Sequence, residues 1–170
     1  MISDWTDLCV KHNFTVPHEV VTGGATRFHS VKNALDKIKV STNDLIAVHD
    51  GVRPLISKNI INDTYQIASE KGCAIPTIDV TDTIRQLNKD NISSNTLLRS
   101  SLRAVQTPQT FDATLLKAAY EAPFNEAFTD DASVVEAFGH NVTLTQGSPK
   151  NIKITHSIDL IIAEELLRNE

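Results

Sequence analysis

Apolar positions along this chain alternate between two rhythms. Leu45-Ile46-Ala47-Val48 is an unbroken apolar run with the length and branching of a buried parallel-sheet strand, and it stops abruptly at His49-Asp50-Gly51-Val52-Arg53-Pro54. Cys73 to Thr77 and Val142 to Thr145 repeat that strand pattern, and His18 to Val21 offers another short one after Pro17. Between the strands the period is helical. Val31, Ala34, Leu35 and Ile38 share one face; Ile60, Ile61, Tyr65 and Ala68 share another, between a Ser57 cap and a Gly72 stop. Asp112 caps Ala113 to Tyr120, Asp130 and Asp131 open a helix that Gly139 ends, and Asp4 to Lys11 forms a short helix at the start. Ser157 to Arg168 carries Ile158, Ile161, Ile162 and Leu166, and is expected to close the core. Strand, helix and strand in this order predict an α/β fold built on a doubly wound, mostly parallel sheet.

The rhythm breaks between Ile78 and Arg103. Thr83 to Leu87 alternates, Asn88 to Asn91 reads as a turn, and Thr96 to Arg99 follows, which predicts a protruding β-arm over about 78–103. An isolated hairpin buries little apolar surface, so the arm is expected to lie against another chain. Arg99 and Arg103 on it read equally as solvated charges.

Composition narrows the class. With 170 residues and 41% hydrophobic content the chain supports one core, so a single domain over 1–170 is expected. The 16 basic and 21 acidic residues give a net charge of -5, which argues against a nucleic-acid footprint. Cys9 and Cys73 have neither a partner spacing nor histidine company, so a disulfide framework and a metal knuckle are both unexpected. No apolar run approaches membrane-spanning length, and Asp4 and Asp7 stand where a signal peptide needs basic residues, so a cytoplasmic protein without a membrane partner is expected.

Two junctions carry candidate chemistry. A polar tip on an apolar strand is where α/β proteins hold ligands, which places Asp50 and Arg53 at a binding edge; the competing reading is a turn whose Asp and Arg simply pair. Thr22-Gly23-Gly24-Ala25-Thr26-Arg27 is a glycine-containing loop leading into a helix, which offers backbone N–H groups to a phosphate or a base edge, or is only a turn.

Six blocks in order resemble one family: Gly23-Gly24-Ala25-Thr26-Arg27-Phe28-His29-Ser30-Val31, His49-Asp50-Gly51-Val52-Arg53-Pro54, Asp82-Thr83, Thr107-Pro108-Gln109-Thr110-Phe111, Thr129-Asp130-Asp131-Ala132 and Asn151-Ile152-Lys153-Ile154-Thr155. They are similar to the 2-C-methyl-D-erythritol 4-phosphate cytidylyltransferases of non-mevalonate isoprenoid biosynthesis, with a nucleotide-diphospho-sugar transferase-like fold. That resemblance implies transfer of CMP from CTP to the polyol phosphate with release of pyrophosphate, assisted by Mg²⁺ whose ligands it leaves open. It implies that Gly24, Ser30 and Gly51 contact cytidine, and that Asp50 and Arg53 sit beside sugar and substrate. Lys153 would position the substrate phosphate and, with Arg99, act in catalysis. Family members are homodimers joined through the arm, so Thr83, Arg99 and Thr107 are expected to serve the partner's substrate. A ribitol 5-phosphate cytidylyltransferase and a non-catalytic dimerising remnant are the alternatives. The family's opening strand and its Pro-Ala-Ala-Gly-x-Gly-x-Arg loop match no stretch of this chain, so the N-terminal strand is expected to be absent. The domain is then expected to be incomplete, with the slot beside the Asp50 strand either open or filled by another segment or chain, and with no appreciable activity of the chain alone.

Overall fold

The computed structural model describes residues 2–89 and 92–168. A five-stranded sheet forms the centre, with β1 (Leu45–Val48), β6 (Gln109–Asp112), β2 (Cys73–Asp79) and β5 (Arg103–Val105) in that order and β7 (Leu144–Gln146) also paired to β2. β6 runs antiparallel to both β1 and β2, β5 is antiparallel to β2, and β7 is parallel to it, so β1, β2 and β7 share one direction. The insertion of β6 between β1 and β2 has no apolar-run signature, because Gln109-Thr110-Phe111-Asp112 is mostly polar.

β2 changes neighbours along its length. Cys73 and Ala74 pair with β6, Thr77 to Asp79 pair with β5, and Pro76, which has no N–H to offer a ladder, falls at the handover. Its carbonyl instead accepts from Gln106 N–H at 2.8 Å. The interruption between β5 and β6, Gln106-Thr107-Pro108, contains a cis Thr107–Pro108 peptide and lies next to the β1 tip.

Six helices flank these strands among the described residues. Thr26 caps α2 (Arg27–Leu35), Ser57 caps α3 (Lys58–Lys71), Asp112 caps α4 (Ala113–Ala119) and Asp130 forms a capping box on α5 (Asp131–Ala137). Gly72 closes α3 at φ 85°, the left-handed conformation that glycine adopts without a Cβ penalty. Phe111, Ile75, Leu116, Tyr120, Val134 and Val135 are the buried centre, and Phe28 of α2 stacks on Tyr120 at 4.7 Å between ring centroids. Each large side chain buried there stabilises the fold by about 1.5–3 kcal/mol. α2 and α4 also fasten each other's carboxyl ends: Lys32 Nζ donates to Tyr120 O at 2.9 Å, and Lys117 Nζ donates to Leu35 O at 2.9 Å and Ile38 O at 2.7 Å.

Three expectations need correction. His18 to Val21 is not a strand, since among the described residues no neighbouring edge takes up its backbone; Trp5 of α1 (Ile2–Lys11) instead donates to His18 Nε2 at 2.8 Å. The β1 strand is half-buried rather than buried, because only β6 pairs with it among the described residues. The last helix, α6 (Ser157–Arg168), does not close the core: Ala163 is its one buried residue, and Ile158, Leu160, Ile161 and Ile162 are exposed. Among the described residues that apolar face is left uncovered.

The arm is a separate two-stranded sheet, β3 (Arg85–Leu87) against β4 (Ser94–Thr96). Arg85 binds across it, to Ser94 and Thr96, while Arg99 falls in a 3₁₀ turn (Arg99–Ser101) beyond it. Of the expected Asn88 to Asn91 turn, residues 90 and 91 lie outside the described residues. No described helix is long and apolar enough to cross a membrane.

Candidate active site

β1 ends at Val48 and delivers His49 to Arg53 to a tight turn, closed by Arg53 N–H on Asp50 O at 3.0 Å. Thr107 fixes that turn. Asp50 N–H donates to Thr107 Oγ1 at 3.0 Å, Thr107 Oγ1 lies 2.9 Å from His49 Nδ1, and His49 Nε2 lies 3.1 Å from the Arg53 carbonyl. A carbonyl only accepts, so in the neutral ring Nε2 holds the proton and Nδ1 accepts from the Thr107 hydroxyl.

Asp50 is the electrostatic centre. Its Oδ2 is 3.1 Å from Lys153 Nζ and 3.3 Å from Arg53 Nε, and Arg53 Nη1 donates to Asn151 O at 2.7 Å. Burial pushes the Asp50 carboxyl up, but the Lys153 hydrogen bond and charge, with Arg53 and Arg27, outweigh it and hold the group below its usual range. Asp50 and Arg53 therefore do pair, and they do so inside a cleft of about 300 Å³ lined also by Arg27, Thr107, Asp130 and Lys153. Three cations face two carboxylates there, which suits an anionic ligand that also carries hydroxyl groups.

Arg27 reaches this cleft from the first turn of α2. Its Nη2 pairs with Asp131, which is fully buried and also accepts from Tyr120 OH at 2.6 Å. Burial alone lowers the Arg27 guanidinium's proton affinity, and the Asp131 hydrogen bond and charge reverse that and raise it. Burial and the Asp131 carboxylate push the Tyr120 phenol up, so it remains a hydroxyl donor. Gln109, 1% exposed, holds the start of α5 from both ends of its amide: Nε2 donates to Asp130 Oδ2 at 2.8 Å and Oε1 accepts from Ala132 N–H at 2.9 Å.

The glycine loop joins the site through α2. Gly24 N–H donates to Ser30 Oγ at 3.0 Å, and a Cβ at Gly24 would stand 2.3 Å from His29 Cβ, so only glycine permits this turn. Gly51 has nothing within 4 Å of a Cβ position and faces open space beside Asp50. Thr83 is exposed, and Arg99 lines a separate hollow at the arm's base with Asp79 and Arg103, its Nη1 donating to Thr81 O at 2.6 Å. Within one chain neither Thr83 nor Arg99 lines the Asp50 cleft. Thr107 departs from its expected grouping with them: it is 5% exposed and bonds His49 and Asp50 of its own chain, because it lies at the β5–β6 interruption and not on the arm.

Sequence reasoning passed over Arg27, Gln106, Gln109 and Tyr120 as site residues. A polar residue between apolar or strand-forming neighbours, as in Val105-Gln106-Thr107, was the available signal for a buried hydrogen-bonding role. Among the described residues no cluster of His, Cys, Asp and Glu is placed to hold a metal by itself. Mg²⁺ commonly uses one or two carboxylates together with substrate phosphates, and Asp50 fits that kind of donor set.

A family model described as IspD, 2-C-methyl-D-erythritol 4-phosphate cytidylyltransferase, matches residues 5–169. The protein of that name from Phocaeicola vulgatus is 49% identical over 163 residues, covering 96% of this chain and 73% of its own length. Its Bacteroides fragilis counterpart is 47% identical with the same coverage. Among solved structures, the 2-C-methyl-D-erythritol 4-phosphate cytidylyltransferase of Francisella tularensis superposes with TM-score 0.79 at 34% identity, covering 89% of this chain and 74% of its own. The 4-diphosphocytidyl-2C-methyl-D-erythritol synthase of Anaerococcus prevotii gives 0.82 at 29% identity, covering 97% and 75%.

Proposed function

This chain belongs to the 2-C-methyl-D-erythritol 4-phosphate cytidylyltransferase family, and from that premise we propose that the Asp50 cleft receives the polyol phosphate and that its cations work on the phosphoryl groups. Its fold is the α/β, nucleotide-diphospho-sugar transferase-like one, and its activity is that of a nucleotidyltransferase transferring CMP from CTP to 2-C-methyl-D-erythritol 4-phosphate in isoprenoid biosynthesis. Ribitol 5-phosphate is not favoured as the acceptor, since relatives at 45–49% identity all bear the methylerythritol name.

In this reaction a phosphate oxygen of the polyol phosphate bonds to the α-phosphorus of CTP while the bond from that phosphorus to the bridging oxygen breaks, and pyrophosphate leaves with the electron pair. The nucleophile is already anionic near neutral pH, so the protein needs no general base; it must align two anions and neutralise their charge. Lys153 is suited to the first task because its ammonium is half-exposed at the cleft and tethered by Asp50. Arg53, held on Asn151 O and Asp50, presents a fixed cation beside it. Gly24, Ser30 and Gly51 are the proposed cytidine contacts, and Mg²⁺ held by Asp50 with the CTP phosphates would neutralise phosphoryl charge. Thr83 and Arg99 act in this reading across a homodimer joined by the arm, Arg99 as a catalytic cation in the neighbouring site. The proposal also places the protein in the cytoplasm.

The single observation that carries the assignment of the cleft is the convergence of Arg27, Arg53 and Lys153 around Asp50. Titration calorimetry with 2-C-methyl-D-erythritol 4-phosphate tests it. Binding should exceed that of ribitol 5-phosphate, and Lys153→Ala should weaken it at least tenfold, since a hydrogen bond to a charged group contributes about 1.5–3 kcal/mol. Undiminished affinity in Lys153→Ala would move the phosphate elsewhere.

A further inference from the structure

Lys153 and Arg53 do not hold themselves in place. Lys153 lies on, and Arg53 donates to, the segment from Gly147 to Ile154, which has no regular secondary structure. Backbone bonds tie its ends, Gly147 N–H to Thr77 O at 2.8 Å and Ile154 N–H to Val52 O at 2.8 Å, and between them it is held by a side-chain anchor. That anchor is Gln106, which is 4% exposed at the β5–β6 interruption. Its amide treats Ser148 as a neighbouring strand would: Nε2 donates to Ser148 O at 2.9 Å and Oε1 accepts from Ser148 N–H at 3.1 Å. The same amide lies within 3.3 and 3.4 Å of Asn151 O and Nδ2.

Asn151 carries the hold onward. It is fully buried, its Nδ2 donates to Thr107 O at 2.9 Å, and its carbonyl accepts from Arg53 Nη1. Ile154 N–H then donates to Val52 O at 2.8 Å, which brings the intervening Lys153 over Asp50. Gly147 is shaped to this arrangement, since a Cβ there would stand 2.5 Å from Gln106 Oε1. A side chain at position 147 would therefore displace the amide.

We propose that Gln106, clasping Ser148 and Asn151 beside Gly147, is the positioning residue that holds Lys153 and Arg53 on Asp50 and so sets the affinity for the phosphate of the acceptor substrate. The phosphate role rests on the function proposed above. Glutamine is required because the clasp needs one donor and one acceptor on the same planar group. Leucine fills similar space and supplies neither. Glutamate supplies both only while its carboxyl is protonated, a state that burial favours. The charged groups at this junction are Arg53, Lys153 and Asp50, and Asp50 stays ionised down to the acid end of the test because it lies below its usual range.

Amide hydrogen exchange on the unaltered chain, Gln106→Leu and Gln106→Glu decides the matter, following the Gly147, Asn151 and Ile154 amides, with those of β2 and α3 as the fold control. In Gln106→Leu, protection at the three loop amides should fall at least tenfold while the control amides hold. In Gln106→Glu, corrected protection should stay within about twofold of the unaltered chain near pH 4.5 and fall at least tenfold by pH 8. A role in filling space alone would give no pH dependence. Loop protection unchanged in Gln106→Leu, or independent of pH in Gln106→Glu, would overturn the proposal, and the second variant decides if the first does not fold. Calorimetry with 2-C-methyl-D-erythritol 4-phosphate runs alongside: affinity should drop at least tenfold in Gln106→Leu with CTP affinity unchanged. Failure of the unaltered chain to bind the polyol phosphate would count against the proposed function and leave the exchange result standing.

Discussion

Asp50 links the chemistry of the cleft to the stability of the fold. Its carboxyl lies below the usual range when folded, so its stabilising contribution is fully present above the unfolded value of about 4 and is lost as pH falls through the folded value. Denaturant titrations of the native chain and Asp50→Asn should therefore differ by a constant increment near neutrality, and the difference should shrink only below about pH 4. A difference that persists unchanged in strong acid would show that Asp50 acts by shape. Asp131 makes the opposite bet: wholly buried, it satisfies both Arg27 and Tyr120, and Asp131→Ala should cost about 3 kcal/mol or more in urea unfolding. Asp50 and Arg53 were legible in the sequence because they stand at the end of an apolar run, and Lys153 only through the resemblance of its Asn-Ile-Lys-Ile-Thr block. Gln106, Gln109 and the Arg27–Asp131 pair were not, because each depends on a partner many positions away and leaves no periodic trace.

At the level of elements, sequence period and caps worked where structure is local. Ser57, Asp112 and Asp130 cap the helices expected of them, and Gly72 ends α3. Reading failed where an element depends on its neighbours: β6 is polar yet central, and α6 is apolar yet exposed. The arm is the most separable unit, since β3 and β4 pair only with each other. Replacing residues 83–97 by a short Gly-Ser linker should leave the sheet's melting temperature within a few degrees while abolishing any dimer seen by sedimentation, on the reading that the arm is the contact. A dimer that survives the replacement would place the contact elsewhere.

At the scale of the whole molecule, two surfaces stand uncovered among the described residues: the outer edge of β1 and the apolar face of α6. The chain spans 73% of the length of its Phocaeicola vulgatus relative. On the family resemblance, a peptide carrying an apolar strand and a Pro-Ala-Ala-Gly-x-Gly-x-Arg loop, offered to the open edge of β1, should raise thermal stability and CTP-dependent pyrophosphate release. Robust turnover by the chain alone, unchanged by the peptide, would mean that the triphosphate is held by residues already described. The crossed lysines of α2 and α4 carry a practical consequence. Lys32 and Lys117 spend their ammonium groups on each other's helix ends, so amine-directed acylation would label the other lysines first and reach these two only slowly. Once acylated, either one releases the carboxyl end of the partner helix, and α2 carries the Gly24 loop at its opposite end. Heavy labelling through lysine would then erode nucleotide binding from a modification made a whole helix away, in addition to any loss from early labelling of the half-exposed Lys153 in the cleft.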